Sequence, residues 1–537
     1  MAEEDILWGK SRHFFGGIEP SNMREFSAAA NDVDGKLTVT ISAKGPMDTV
    51  TSNYDKLCTV GGYIIRKSTE GYPETEFDGE FLAEITNSTV LKVITDTNVE
   101  NGNIYYYSAF PYSLQGVYNR NAANRTIVNF GSETPAYLYG YDLDTRDSNP
   151  ETRVSYPSDV DNALYDVAAR MNFDTDNFNY GSWNISPGER FMPRPCMLKY
   201  DGTVDYYLNS NNYALKEDGS ASDISNTAYS GNAMMEWPKI YTKRWEENGV
   251  YHFRCSDIKI DDDWDCWCNY DINNNEIDHF YTAIYQGYYV KTDGSYKIRS
   301  LSGFAPAIDK NISSFSNYAK NNGANGWDIG VLSDRLLITD LLVMITKTTN
   351  LQSACGIGAR TYGTTKNSGL MDTKGLFYGT QTLGDVTDPV KIFGMENWWG
   401  NLQQFTLGWC LKSGVSGIKF TAGTADGSSS TGYNLDGSLD GYRTDIIPTL
   451  TAHVMGYITG CMTTPFGRVP YVVGGSDTTY ETDYIYLTCN DYWRTLTVGE
   501  VSDQYHPAGP FYLEVTSSSS TSDSNTTVSL SCKPSKS

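Results

Sequence analysis

"SDRLLITDLLVMITKTTN", residues 333–350, decides which fold the C-terminal two thirds can adopt. Leu336, Leu337, Leu341, Met344 and Ile345 recur at helical spacing, and Ser333 stands where an N-cap belongs. The apolar core of the run, 336–346, is short and holds Asp340, so it predicts a packed helix and not a bilayer span. "NISSFSNYAKNNG" (311–323) predicts a second helix, capped by Ser313 or Ser314 and stopped at Asn322-Gly323. "PSDVDNALYDVAARM" (157–171) predicts a third and shorter one, with Ser158 as its N-cap and Val160, Ala163, Leu164 and Val167 on one face.

Around these helices the pattern is β. "PCMLKYDGTVDYYLN" (195–209) reads as two strands about the turn Asp201-Gly202, and "MMEWPKIYTKRW" (234–245) and "YHFRCSDIKI" (251–260) as further strands. After Asn350 the chain reads as loops and short strands. A few helices in a loop-rich aromatic β region suit an α+β domain in which strands anchor large loop insertions. The N-terminal part differs. "KLTVTISA" (36–43), "GGYIIRKS" (61–68) and "NGNIYYYSAFPYS" (101–113), the last opening on the turn dipeptide Asn101-Gly102, predict an all-β sandwich. The expected layout is a docking arm at 1–35, the sandwich at 36–128, a connecting segment with the short helix at 129–194, and the α+β domain at 195–537.

Composition narrows the function. With 65 acidic and 41 basic residues the net charge is −24, and no basic stripe offsets it, which excludes nucleic-acid binding and disfavours anionic membranes. Forty tyrosines and 49 glycines favour strands, turns and recognition surfaces. "MAEEDILWGKSRHFFGG" (1–17) lacks the apolar core of a secretory signal, so the reading is synthesis in the cytoplasm. Ten scattered cysteines read as buried free thiols. The tight group Cys255, Cys266 and Cys268, near His252 and His279, has C-x-C spacing without paired C-x-x-C knuckles, a weak pattern for zinc.

One further stretch combines bulk and amides. "GMENWWGN", residues 394–401, reads as a structural joint framed by Gly394 and Gly400. Trp398 and Trp399 would be core wedges whose indole N–H groups bond to carbonyls, with Asn397 and Asn401 tying loop backbone.

Taken in order, "RSLSGFAP", "YAKNNGANGW", "LLITDLLVMITKTTN", "FGMENWWGN" and "GPFYLEV…SLSCKP" resemble the tail proteins of gut-bacterial phages that carry a C-type-lectin-like domain. That domain type also occurs in formylglycine-generating enzymes. Some family members, such as the major tropism determinant, are diversified by retroelements. The likeness covers about 150–537, and "ILWGKS" and the sandwich fit the same architecture. The sandwich itself resembles a fibronectin type III module, with Tyr105 at the place of the tyrosine corner and Ile64 and Ile65 on an inner strand.

The resemblance implies a virion receptor-binding protein. It would grip a bacterial surface glycan or protein through a variable C-terminal region at about 490–529, dock on other virion proteins by its N-terminal arm, and assemble as a homotrimer. Where relatives read Gly-Gly-Ser-Trp, this chain has "VGEVS" (498–502). The residues assigned to the face are Asp491, Tyr492, Trp493, Ser502, Asp503, Gln504, Tyr505, His506, Tyr512 and Glu514, which together resemble a paratope of rigid rings and adaptable polar groups. The run "TSSSSTSDSNTT" (516–527) reads either as part of that face or as a solvated loop.

Enzymatic alternatives find less support. No cysteine lies between Cys489 and Cys532, so the thiol pair of formylglycine-generating enzymes is missing. Asp261, Asp262, Asp263 and Asp265, interleaved with Trp264 and Trp267, supply carboxylates, but neighbours along one turn do not face each other across a glycosidic bond. Calcium suits that run better than catalysis. No nucleophile elbow and no phosphate-binding loop occurs. The expectation is an adhesin that is not an enzyme and needs no cofactor. The alternatives are a head or baseplate decoration protein and a glycan-cleaving depolymerase.

Overall fold

The structure, a computed structural model, describes residues 19–33, 36–47, 59–86, 89–100, 103–130, 137–183, 190–292, 294–359, 365–381, 389–436, 438–492, 494–499 and 509–535. The chain is mostly β and divides into two compact units, Met1–Ala136 and Tyr137–Ser537. The Asn101-Gly102 turn lies outside the described residues.

The N-terminal unit holds a three-stranded sheet (Glu25–Val33, Lys36–Lys44, Lys92–Asp96) and a four-stranded one (Glu80–Ile85, Val60–Ser68, Asn103–Ser113, Arg125–Phe130). Alternate residues from both sheets fill one core: Val39, Ile41 and Ala43 from one, Tyr63, Ile65, Tyr105, Tyr107, Ala109, Val128 and Phe130 from the other. This is the period-2 burial of a sandwich. A buried ion pair joins the sheets, with Lys67 Nζ 3.0 Å from Asp96 Oδ2 and the Tyr107 hydroxyl donating to the same oxygen at 2.9 Å. Part of the segment expected to be a docking arm, 1–35, belongs to this sandwich. Glu25–Val33 pairs along its whole length with Lys36–Lys44, because its partner presents a full ladder of backbone groups that must be satisfied.

In the C-terminal unit α1 (Ile312–Lys320) precedes α2 (Leu332–Thr346), the longest helix among the described residues, and α3 (Leu351–Cys355), about a turn and a half, follows it. Both expected long helices are present, but their caps differ. Asn311 caps α1, its side chain accepting from Ser314 N–H at 2.9 Å. Helix α2 starts after Val331 with no side-chain cap, and Ser333 lies buried inside its first turn. The helix expected within 157–171 does not form. That segment is a chain of turns in which the Asn162 amide clamps both the N–H and the carbonyl of Gly140, at 3.0 and 2.9 Å, while Leu164 points into solvent at 92% exposure. A helix there would have had no core to bury its apolar side against.

Two large sheets flank α2. The first is antiparallel and runs Asn212–Lys216, Val204–Asn209, Arg194–Lys199, Gly231–Pro238, His279–Gln286, Ser529–Cys532, Trp327–Ile329. Gly202, at φ 84, makes the expected turn between its second and third strands. The second sheet runs Val415–Ile418, Gln403–Lys412, Arg494–Val498, Leu513–Ser517, Tyr484–Leu487, Val454–Thr464, Gly467–Val473, with Thr526–Thr527 pairing parallel to Gln403–Lys412. The region after Asn350 is therefore far more regular than its sequence suggests. A third sheet (Tyr241–Glu247, Val250–Ser256, Leu138–Asp144, Val154–Ser155) lies against the same core.

Every residue of α2 is buried, so the helix has no solvent face at all. Its charged side chains are matched one by one. Asp340 accepts from Arg244 Nε at 2.9 Å and from the Tyr141 hydroxyl at 2.7 Å. Asp334 accepts from Lys533 Nζ at 2.7 Å. Arg335 donates to the Trp398 carbonyl at 2.6 Å. Removing one partner of such a pair strands a buried charge. Arg244→Met is expected to destabilise the C-terminal unit by about 3–5 kcal/mol, read as a lower denaturant midpoint with unchanged slope. A loss under about 1 kcal/mol would show that Asp340 is held without its arginine.

Candidate functional site

Strands Arg494–Val498 and Leu513–Ser517 carry the region expected to face a ligand, and their register fixes where its parts lie. Thr495 pairs with Ser517 and Val498 with Leu513. Asp491 and Tyr492 therefore sit at one end of this strand pair, beside the start of the serine run. The stems of residues 500–508 leave from the other end, roughly 13 Å away at about 3.4 Å per residue. Trp493, Ser502, Asp503, Gln504, Tyr505 and His506 lie outside the described residues.

Tyr512 does not belong to an exposed face, and Glu514 is only half-exposed. Tyr512 is 3% exposed, and its hydroxyl donates to Glu514 Oε2 at 3.0 Å. Glu514 also accepts from Gln403 Nε2 at 2.9 Å and from the Thr516 hydroxyl. The pair braces neighbouring strands, because alternation along Leu513–Ser517 and the strand beside it decide which side chains are covered.

Asp491 and Tyr492 form a genuine surface corner. Tyr492 is 72% exposed, with the Arg494 guanidinium 5.9 Å from its ring centre. Asp491 Oδ1 accepts from Ser413 Oγ at 2.9 Å, and Ser413 N–H donates to the Asn490 carbonyl at 2.6 Å. Ser413 and Gly414 (φ 51 and 78) make the left-handed turn that brings this hydroxyl up to the corner. Exposed His453 accepts the Cys489 N–H at Nδ1, 3.1 Å. The corner thus offers a ring, a cation, a carboxylate and an imidazole.

The serine run splits in two. Ser518 to Thr521 close a turn through the Thr521 N–H and the Ser518 carbonyl at 2.9 Å, and their hydroxyls bond to one another. Thr526 and Thr527 are buried against Gln403–Gln404.

Both stems of 500–508 are clamped. On the incoming side, the Gly499 carbonyl accepts from the Gly400 N–H at 3.3 Å, and Gly499 packs on Trp398 and Trp399. On the outgoing side, buried Asp483 accepts from the Phe511 N–H at 2.8 Å and from Gln352 Nε2 at 3.1 Å, and any side chain at Gly509 would run into its carboxylate. Burial raises the Asp483 pKa from the ordinary carboxylate range to about 7.

Residues 393–401 supply the incoming clamp. Phe393 and Gly394 (φ 47 and 84) form the two-residue turn between Lys391–Ile392 and Met395–Glu396, and Asn397, Gly400 and Asn401 are left-handed as well. A Cβ on Gly394 would lie 2.6 Å from the Tyr213 hydroxyl oxygen. Trp399 is fully buried and donates from Nε1 to the Gly356 carbonyl at 3.1 Å, as expected. Trp398 behaves otherwise. Its Nε1 has no partner among the described residues, and its ring is covered by the Arg335 guanidinium at 3.7 Å. Burial pushes the Arg335 pKa down to about 9, which still leaves it charged at neutral pH. Asn401 ties the loop at 365–367 by accepting the Lys366 N–H at 3.0 Å and donating to Gln286 Oε1 at 2.8 Å. Asn397 acts through its backbone, its N–H donating to the Val390 carbonyl and its own carbonyl accepting from Gln404 Nε2 at 2.9 Å.

Beneath this hairpin, Glu396 accepts two backbone N–H groups, from Gly369 and Met371, and Lys391 donates to the Met371 carbonyl at 2.8 Å. Burial drives the glutamate pKa up and the lysine pKa down. The two residues grip one loop from both sides, a contact that the sequence did not announce.

The residues weighed for metal and thiol chemistry have protein partners or are buried thiols. Lys243 Nζ holds Asp263 at 2.8 Å, Lys259 approaches Asp262 at 3.8 Å, and Asp265 accepts from the Tyr270 hydroxyl at 2.7 Å. His252 bonds to Asp142 at 2.8 Å and stacks on Trp245. Cys255, Cys266 and Cys268 are buried free thiols, pushed to high pKa by burial. Among the described residues no group of three His, Cys, Asp or Glu is placed to hold a metal ion. No family model matches the chain, and no curated protein matches it.

Two outcomes test the clamps. Trp399→Ala is expected to destabilise the C-terminal unit by about 3–5 kcal/mol, so it should unfold before it weakens any binding. A folded variant that no longer binds would contradict this. The raised Asp483 pKa means that its stabilising share is fully present below about pH 4 and is lost as pH rises through 7. Asp483→Asn should therefore flatten the fall in thermal midpoint between about pH 4 and 7. An unchanged pH profile would remove Asp483 from the account.

Proposed function

We propose that this chain is a receptor-binding adhesin of a bacteriophage virion. In this reading a fibronectin-III-like spacer carries a C-type-lectin-like head that recognises a bacterial surface molecule and catalyses nothing. The observation that carries it is the pair of clamps on 500–508. Buried Asp483 and the Gly400–Gly499 contact hold the stems on a scaffold whose main helix is wholly enclosed. Such an arrangement lets the residues between the stems vary without unfolding the domain, as a diversified binding loop requires.

Other features support the reading. The Tyr105 hydroxyl accepts the Glu100 N–H at 2.9 Å, the bond of a tyrosine corner. The Asp491–Tyr492 corner has the ring-plus-polar chemistry of a paratope. The docking arm reduces to the residues before Glu25, and a homotrimer would multiply a weak single contact by avidity.

Binding of the purified chain to cells of the bacterium whose phage or prophage encodes it tests the proposal. Two double variants, Asp491→Ala with Tyr492→Ala and Tyr505→Ala with His506→Ala, are each expected to weaken binding by about tenfold or more at unchanged melting temperature. Wild-type binding by both folded variants would place the receptor face elsewhere.

A further inference from the structure

Two cavities adjoin in the C-terminal unit and share Arg190, Phe191 and Met192 as a common wall, with no lining residue from the Asp491–Tyr492 corner. The larger, about 380 Å³, is lined by Arg190, Arg194, Tyr207, Glu236, Lys239 and His279 among others. The smaller, about 140 Å³, is lined by aromatic and aliphatic side chains that include Tyr139, Trp183, Leu341, Met344 and Phe393. Phe191 stands between them in the left-handed region at φ 66, a strained conformation for a bulky residue.

Every cation around the larger cavity already has a carboxylate partner. Arg190 pairs with Asp257, Arg194 with Glu217 at 2.8 Å, and Lys239 with Glu276 at 3.1 Å. Glu236 accepts the hydroxyls of Tyr207 and Tyr281 at 2.8 and 2.9 Å. No surplus positive charge remains to draw a phosphate or an acidic sugar. What remains is a set of planar donors and acceptors locked in place. Arg190 lies 3.8 Å over Tyr137 and Arg194 lies 3.5 Å over Tyr207, so their spare N–H groups point in fixed directions. Fixed, charge-compensated forks beside aromatic rings suit a neutral, hydroxyl-rich ligand with apolar faces. The smaller cavity adds selectivity, since its mainly aromatic and aliphatic wall encloses only about 140 Å³, room for a small acyl group beside the sugar ring.

We propose that this double cavity is a binding site for a neutral, N-acylated saccharide, with the sugar ring in the charged chamber and the acyl group directed at the apolar one. The site is separate from the adhesin face, and its occupancy is read without any cell-binding step.

Titration calorimetry of the full chain with N,N′-diacetylchitobiose, cellobiose and a glucuronic-acid disaccharide is the test. The expected result is binding of the diacetylated sugar at about millimolar concentration or below, at least about tenfold weaker binding of cellobiose, and none of the acidic sugar. Arg190→Gln and Arg194→Gln, both on the half-exposed rim, should each weaken the diacetylated sugar about tenfold with unchanged melting temperature, while Tyr492→Ala leaves it unaltered. The proposal is overturned if no sugar binds or if the acidic one binds best. It is equally overturned if binding survives both rim variants, or if it falls with Tyr492→Ala.

Discussion

Asp340 sits at the middle of a helix with no solvent face, and most of the C-terminal unit is arranged around satisfying it. A buried carboxylate without partners costs several kcal/mol, so the fold must bring donors to it. Arg244, Tyr141 and Tyr251 do so from three neighbouring strands of the third sheet. At the helix start, Asp334 requires Lys533, which draws the chain's last strand into the first sheet beside Trp327–Ile329. Arg335 requires the Trp398 carbonyl, which fixes the joint at 393–401. The helix therefore pins the third sheet, the closing strand and the joint at once, each through a polar group that hydrophobic burial alone would have excluded.

How far this was legible in the sequence depends on whether a residue's partner is local. The hairpin at Asp201-Gly202 and the existence of α1 and α2 follow from turn chemistry and spacing, which are short-range properties. The enclosure of α2 does not, because Asp334, Arg335 and Asp340 look like a solvent face until Lys533, Trp398 and Arg244 are seen to meet them. The 157–171 segment has helical spacing, yet nothing packs on Leu164, and the Asn162 clamp on Gly140 holds it as turns. Gln403–Lys412 escaped notice for the opposite reason. It is buried on both faces over nearly its whole length, so the alternation that betrays a half-exposed strand is missing.

The candidate site divides along the same line. The exposed ring at Tyr492 and the polar Asp491 were legible as surface chemistry. Tyr512 has the same composition signal, but its burial is set by the strand beside it. Phe511, next along the chain, is held by Asp483, a residue with no local hint of its role. Composition identifies groups that are able to recognise a ligand. Only strand register decides which of them face outward, and a one-residue change in register would exchange the two sets.

The joint at 393–401 touches both regions given a binding role. Phe393 lines the apolar chamber, and the Gly400 N–H holds the Gly499 carbonyl at the stem of 500–508. Contiguity of this kind invites an allosteric reading, but the backbone argues against one. Phe393, Gly394, Asn397, Gly400 and Asn401 are all left-handed, and the segment between them is buried. Coupling needs an element with two accessible arrangements, whereas a segment with this many over-determined left-handed residues has one. The joint separates the two regions mechanically. On the proposed reading, residues 500–508 can change in sequence without moving the cavity wall at Phe393, and the stiffness that costs the fold strain is what would keep the two proposed sites independent.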